Sequence, residues 1–155
     1  MTSTPRIIVC QQRTFASKEE LFDHVGTQLI ADGIVRDTYI TALNERESEY
    51  PTGLPIPGGV AIPHTSAEHV IDNALVLVRP EPPLTFNEMG GGENDTISAS
   101  LVIFLVLSSA DDHLATLQRL IGALQDSDVR AQLLSAHSPE DAHRALAPLT
   151  SSRHH

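Results

Sequence analysis

The segment from Ser98 to Leu107 is almost entirely apolar and β-prone, and it limits the fold more than any other part of the sequence. Its longest unbroken apolar run, Leu101–Leu107, is far shorter than the roughly 20 residues that cross a bilayer as a helix. A strand with one face in water would alternate apolar and polar side chains, and this segment does not. We therefore predict a central β-strand that is covered on both faces.

Shorter patterns predict helices and further strands in alternation along the chain. Ser17 and Glu20 form a capping box for a helix that reaches about Ala31, and Asp37 is expected to cap a second helix through about Arg46. The other predicted strands are 6–10, 60–64 and 74–79. The other predicted helices are a short one from Thr65, one after Asp112 with Leu114, Leu117, Ile121 and Leu124 on one stripe, and those at 129–134 and 138–147.

Two segments rich in proline and glycine predict loops, namely Pro51–Gly59 and Glu81–Asp95, and the second is expected to be exposed and mobile. The mixture of elements predicts an α/β fold, with a small mixed sheet of about five strands and helices on both faces. The length favours a single domain over residues 1–150, followed by a disordered tail at 151–155.

The composition excludes some kinds of partner. The formal net charge is -10 and Lys18 is the only lysine, so we see no basic patch of the kind that binds nucleic acid. A charged protein partner would instead present a basic face. The single cysteine, Cys10, and the lack of a signal-peptide pattern favour a cytoplasmic protein with no direct membrane insertion.

His64 is the first candidate for chemistry, because it ends a predicted strand just before a predicted helix. The backbone N–H groups of Thr65, Ser66 and Ala67 would be first-turn donors, and together with the helix dipole they would form an anion site. A largely neutral imidazole beside such a site can accept a phosphoryl group. By position alone, a histidine that is merely satisfied within a turn is an equally good interpretation.

His113 and Arg46 are the other two candidates. His113 follows the apolar strand and falls in the first turn of the next predicted helix, so it can face the same crevice as His64 if the two strands are neighbours. A helix N-terminus disfavours imidazolium, which would leave His113 as a neutral hydrogen-bond donor. Arg46 ends the second helix, and a guanidinium can clamp phosphate oxygens. A surface histidine and an exposed arginine remain the alternatives.

Other chemistries find little support in the sequence. The glycines at 90–92 have no following lysine, so they are not a nucleotide-binding loop, and no Gly-x-Ser-x-Gly elbow is present. The acidic and histidine residues near the candidate site match no standard zinc spacing. These residues are His64, Glu68, His69, Asp112 and His113. We expect neither a metal nor another cofactor.

Three motifs resemble the enzyme IIA domains of the fructose/mannitol class in the bacterial sugar phosphotransferase system (PTS). The run Gly-Val-Ala-Ile-Pro-His-Thr at 59–65 resembles their active-site signature. Asn-Glu-Arg-Glu at 44–47, followed by Pro-Thr-Gly at 51–53, resembles their arginine-bearing helix end, and Asp-His-Leu at 112–114 resembles their second-histidine helix. The resemblance spans roughly Pro5 to Leu149, and 46–53 is most similar to the galactitol type.

The resemblance implies the type-2 IIA fold and a phosphoryl carrier. Phospho-HPr would dock, His64 would take the phosphoryl group on a ring nitrogen, and a cysteine of a IIB component would receive it for uptake of galactitol or a related polyol through IIC. Arg46, His113 and the amides of Thr65, Ser66 and Ala67 would balance the phosphoryl charge, with no cofactor.

Two alternatives stay open at this stage. A regulatory IIA-like protein would act through phosphorylation-dependent binding without sugar transport, and it needs His64 equally. A binding module on a decayed IIA fold is the other, although the intact Arg46, His64 and His113 argue against it. The segments 55–58 and 90–92 can border the docking face and bear on partner specificity.

Overall fold

A computed structural model of the protein describes residues 6–92 and 94–150, without the side chains of 110–113 and 147–150. The strands in these residues are β1 (Arg6–Val9), β2 (Gly53–Leu54), β3 (Val60–Ala61), β4 (Ala74–Val78), β5 (Leu84–Asn87), β6 (Thr96–Ala99) and β7 (Leu101–Val106). The helices are α1 (Lys18–Ala31), α2 (Tyr39–Glu49), α3 (Ala110–Leu124), α4 (Ser127–Leu134) and α5 (Pro139–Thr150). The proposed tail at 151–155 lies outside the described residues.

Five strands form one mixed sheet in the order β1-β4-β7-β3-β2. The pairs β1–β4 and β3–β7 are parallel, whereas β4–β7 and β2–β3 are antiparallel. The remaining two strands, β5 and β6, pair with each other in an antiparallel ladder. The predicted α/β class and the mixed sheet of about five strands are confirmed.

The central strand β7 is buried along its whole length, as its apolar sequence predicts. Val102, Phe104 and Val106 belong to a core shared with α1 and α2, while Ile103 and Leu105 belong to a second core shared with α3, α4 and α5. Helices therefore cover both faces of the sheet. Because successive strand side chains point to opposite faces, only a continuous apolar run can serve two cores at once.

Two of the predicted helix starts are confirmed by their capping bonds. Glu20 N donates to Ser17 Oγ at 3.1 Å at the start of α1, and Asp141 N donates to Ser138 Oγ at 3.2 Å at the start of α5. The predicted cap at Asp37 is wrong, because Thr38 occupies that position of α2 and makes no side-chain capping bond. This helix also continues to Glu49, three residues beyond the predicted end.

Three other predictions need correction. The expected loop at 81–95 contains β5, whose Leu84 and Phe86 are buried while Thr85 is exposed. Flanking prolines and glycines hide this short alternation from a reading by composition. The apolar segment is divided at Ser100 into β6 and β7. Leu114 is 62% exposed rather than inward, and it is Leu120 and Leu124 that α3 buries.

Gly59, at the entry to β3, approaches β6 so closely that a Cβ there would overlap the carbonyl oxygen of Ser98. Its φ of +73° is also a conformation that costs about 1–2 kcal/mol for a residue with a side chain. Gly33 has the same φ of +73° but no atom within 4 Å of its Cβ position. The two glycines therefore separate backbone strain from close packing.

We expect Gly59→Ala to lower the free energy of unfolding by about 3 kcal/mol or more, because overlap with Ser98 adds to the strain of a positive φ. Gly33→Ala should cost only about 1 kcal/mol, from the strain alone. Urea unfolding of both variants beside the parent measures the difference. Equal losses would show that the contact with β6 relaxes at no cost.

Candidate active site

His64 lies just beyond β3, where the chain still runs beside β7. It forms a parallel bridge with Leu105, and Leu105 N donates to Pro63 O at 3.0 Å. The carboxyl ends of β3 and β7 therefore meet at one edge of the sheet, where ligands of α/β sheets usually bind. The histidine is 8% exposed, so the fold holds its imidazole in a largely water-free position.

The tautomer of His64 follows from its contact with the backbone. Nδ1 lies 2.9 Å from the carbonyl oxygen of Ile62. A carbonyl oxygen only accepts hydrogen bonds, so Nδ1 must carry the proton and donate it. In the neutral ring, Nε2 therefore bears the lone pair with which an imidazole attacks an electrophile.

The surroundings of His64 favour its neutral form. Burial lowers the pKa of the ring below its ordinary value of 6.5, and the nearby positive charge of Arg46 lowers it further. The hydrogen bond to Ile62 acts in the opposite direction and is outweighed. The ring is therefore neutral at neutral pH, which is the state a nucleophilic histidine requires.

Arg46 lies in the last turn of α2 and has hydrogen-bonding capacity to spare. Its guanidinium carbon is 4.8 Å from the centre of the Tyr50 ring, a distance typical of a cation–π contact. Its Nε is buried and has no hydrogen-bond partner among the described residues. Because an unsatisfied buried donor is costly, an oxyanion placed between Arg46 and His64 would be stabilised.

The predicted helix directly after His64 is wrong. Ala67–His69 form a single 3₁₀ turn, with Ser66 at its N-cap position and no side-chain capping bond. Thr65 Oγ1 donates to Ser66 O at 2.9 Å instead of capping a helix. A three-residue turn has too few aligned peptide dipoles to supply the expected charge. That the amides of Thr65, Ser66 and Ala67 hold a phosphoryl group stays a prediction.

His113 falls in the first turn of α3, as predicted, because this helix begins at Ala110. The helix follows β7, whose end lies beside the segment that carries His64. The side chain of His113 lies outside the described residues, so its contact with His64 or phosphate stays a prediction.

Sequence reasoning missed Glu47, which is 3% exposed on the inner face of α2. Its Oε2 accepts from Thr52 N at 2.8 Å, and its Oε1 accepts from Thr52 Oγ1 at 2.9 Å. Burial raises the pKa of this carboxyl to about 7, although the bonds from Thr52 and the charge of Lys18 oppose the rise. The four-residue spacing of Tyr39, Leu43 and Glu47 was the signal that places it inward.

The described residues hold no group of three or more histidine, cysteine, aspartate or glutamate side chains arranged to bind a metal ion. None of their helices is long and apolar enough to cross a membrane.

The fold and this edge of the sheet define a class of protein: an α/β domain with a buried, neutral histidine and a nearby arginine, an arrangement suited to an anionic group. The sequence matches the family described as "Phosphoenolpyruvate-dependent sugar phosphotransferase system, EIIA 2" over residues 3–148. The chain therefore belongs to this family.

Individual proteins that are similar to this chain support the family assignment. The galactitol-specific EIIA component of Escherichia coli K12 is 33% identical over 123 residues, which are 79% of this chain and 81% of the relative. The fructose-specific EIIA component of Haloferax volcanii is 30% identical over 150 residues, 94% and 93% of the two chains. The IIA–phosphorylated IIB mannitol complex of E. coli provides a structure with TM-score 0.70 and 27% identity, covering 96% and 98% of the chains. The resemblance inferred from the three motifs is confirmed.

We expect NMR of the imidazole nitrogens to show the Nδ1–H tautomer of His64 and a pKa below 6.5, since burial and Arg46 both disfavour the charged ring. The pKa should rise in Arg46→Ala, because one of these two causes is removed. Arg144→Ala, which removes an exposed arginine of α5, is the matched control and should leave the pKa unchanged. An equal pKa in parent and Arg46→Ala would exclude any electrostatic action of Arg46 on His64.

Proposed function

We propose that the protein is a phosphoryl carrier of the PTS, which accepts phosphate from phospho-HPr on His64 and passes it to a IIB component. The observation that carries the proposal is the pairing of a neutral imidazole, protonated on Nδ1, with a half-buried arginine whose buried Nε is an unused donor. The first group is a nucleophile, and the second is a binder of oxyanions.

The reaction moves one phosphoryl group between two nitrogens. Nε2 of His64 attacks phosphorus in line, the new N–P bond forms, and the bond to the donor's histidine breaks with its electron pair returning to that nitrogen. Nδ1–H of His64 keeps its bond to Ile62 throughout, which fixes the ring. The ring takes a positive charge when the N–P bond forms and loses it when that bond breaks. In the second step a thiolate of the IIB partner attacks phosphorus and Nε2 regains its lone pair.

Catalysis in this scheme consists of positioning and charge stabilisation. Arg46 supplies a positive charge and hydrogen-bond donors to the phosphoryl oxygens. His113 supplies one more donor from the first turn of α3. The amides of Thr65, Ser66 and Ala67 complete the cradle. No metal or other cofactor enters the scheme, because the protein transfers an already activated group.

The partners follow from the family and from charge. The mannitol IIA–IIB complex supports a IIB component as the acceptor, and a basic HPr surface would suit a chain with a formal net charge of -10. The galactitol-specific relative supports galactitol or a related polyol as the cargo. Both curated relatives named above are transport components, so they favour transport over the regulatory alternative. We place the carrier domain at residues 1–150.

The first test is the intact mass after incubation with phosphoenolpyruvate, the upstream phosphotransferase and HPr. We expect a gain of one phosphoryl group, about 80 Da, that is lost in acid and absent from His64→Ala. His69→Ala is the matched control, because it removes another partly buried histidine of the same segment. It should still be phosphorylated. Acceptance by His64→Ala at the parent rate, or none by the parent with an active donor, would refute the proposal.

The second test concerns charge stabilisation. We expect Arg46→Ala and His113→Ala to slow phosphoryl transfer by about 10- to 1000-fold, because each removes one donor to the developing charge. The acceptor itself remains, so long incubation should still reach one phosphoryl group per chain. Rapid-quench kinetics with phospho-HPr measures both rates. Parent rates in both variants would show that phosphate is stabilised by other groups.

A further inference from the structure

We infer that Glu47 is a positioning residue for phosphoryl transfer, which holds the ring of His64 and the helix end that bears Arg46 through its two bonds to Thr52. The inference rests on the proposed function of His64. Glu47 itself touches neither phosphate nor the partner, because it is buried on the inner face of α2.

A continuous series of hydrogen bonds links Glu47 to the ring of His64. Glu47 accepts from the amide and the hydroxyl of Thr52 at 2.8 and 2.9 Å. The carbonyl of Thr52 accepts from Ile62 N at 3.3 Å, and the carbonyl of Ile62 accepts from Nδ1 of His64. Each peptide in the series bonds on both sides, so a shift of Thr52 would move the carbonyl that fixes the tautomer of His64.

Glu47 also holds the helix end that bears Arg46, which precedes it in the last turn of α2. Tyr50 N donates to the carbonyl of Arg46 at 2.7 Å and closes the helix there. Two residues further on, Thr52 is tied back to Glu47. The turn from Arg46 to Thr52 is thus closed at both ends, and the Tyr50 ring that stacks on the guanidinium lies within it.

A carboxylate suits this position in a way that an apolar residue does not. An alanine would leave the buried amide and hydroxyl of Thr52 without acceptors, which is costly. Lys18 of α1 faces the carboxylate, and Glu19 and Glu49 line the same cleft of about 410 Å³. With its pKa raised to about 7, Glu47 changes charge near neutral pH.

Ionisation of Glu47 is expected to change the transfer rate in one direction. The ionised carboxylate accepts both bonds from Thr52 as charge-assisted bonds, which are stronger than neutral ones. We therefore expect the transfer rate of the parent to rise with pH through about 7, over and above any titration of the donor or of His64. A glutamine at this position can still accept from Thr52 N and pair with its hydroxyl, but it cannot titrate.

The experiment compares Glu47→Ala and Glu47→Gln with Glu45→Gln, which removes a charge on the other, exposed side of Arg46. We expect Glu47→Ala to lower the maximal transfer rate by about 10- to 100-fold through misplacement of the reacting groups. The half-saturating concentration of phospho-HPr should change less than about twofold. Imidazole NMR should show that the Nδ1–H tautomer of His64 no longer dominates.

The glutamine variant decides between geometry and mere removal of a charge. We expect Glu47→Gln to recover the parent tautomer and most of the maximal rate, while losing the rise of the rate near pH 7. Glu45→Gln should match the parent in rate, tautomer and pH profile. Equal impairment of the glutamine and alanine variants would overturn the inference, as would parent behaviour of a folded Glu47→Ala.

Thr52→Val provides a second route if Glu47→Ala does not fold. It removes the hydroxyl bond but keeps the amide bond, so a smaller loss of rate in the same direction is expected, and an unchanged rate and tautomer would overturn the inference. The NMR measurement on His64 needs no donor protein. It therefore tests the positioning role even if phospho-HPr proves unable to phosphorylate the chain, which is the outcome that would refute the proposed function alone.

Discussion

The parallel pairing of β3 with β7 is the constraint on which the candidate active site depends. The strand β7 is fixed from both faces by two cores, so its carboxyl end has one position in the fold. Pairing with β7 then places Pro63 and His64 at the same edge. The segment that carries His64 is thus held by a strand that is buried along its whole length, whereas a loop without this pairing would hold the imidazole less firmly. Precision of that kind is what positional catalysis requires.

Burial and polarity act together at this edge. His64 is withdrawn from water far enough to stay neutral, yet its Nδ1 proton is committed to a peptide carbonyl, so the lone pair falls on Nε2. The carbonyl in turn belongs to a ladder that continues through Thr52 to Glu47. The cost of burying the carboxylate of Glu47 appears as its raised pKa. We interpret this cost as the consequence of holding two segments in place, the one that carries His64 and the helix end that bears Arg46.

Much of the fold could be predicted from the sequence, as could the places of Arg46, His64 and His113 at the ends of their elements. The doubly buried β7 follows from an unbroken apolar run, and α1 and α5 follow from their capping residues. β5 could not be predicted, because its alternation is only four residues long between prolines and glycines. Burial of Glu47 was not predicted, because a glutamate is normally exposed. The hydrogen bond from Thr52 that compensates its burial is visible only in the folded structure. The turn after His64 carried capping residues, but tertiary structure ends it within three residues.

The shortness of the turn after His64 bears on the chemistry of a carrier. A long helix starting at His64 would bind phosphate with several amides and a dipole, and a site of that strength would resist giving the group away. The short turn lacks such a set of donors, whereas Arg46 has a buried Nε with no hydrogen-bond partner among the described residues. Phosphorylation would add roughly two negative charges to a chain that is already acidic. On the proposed function, the short turn and this repulsion would both weaken the hold on the phosphoryl group, which suits a protein that passes it on.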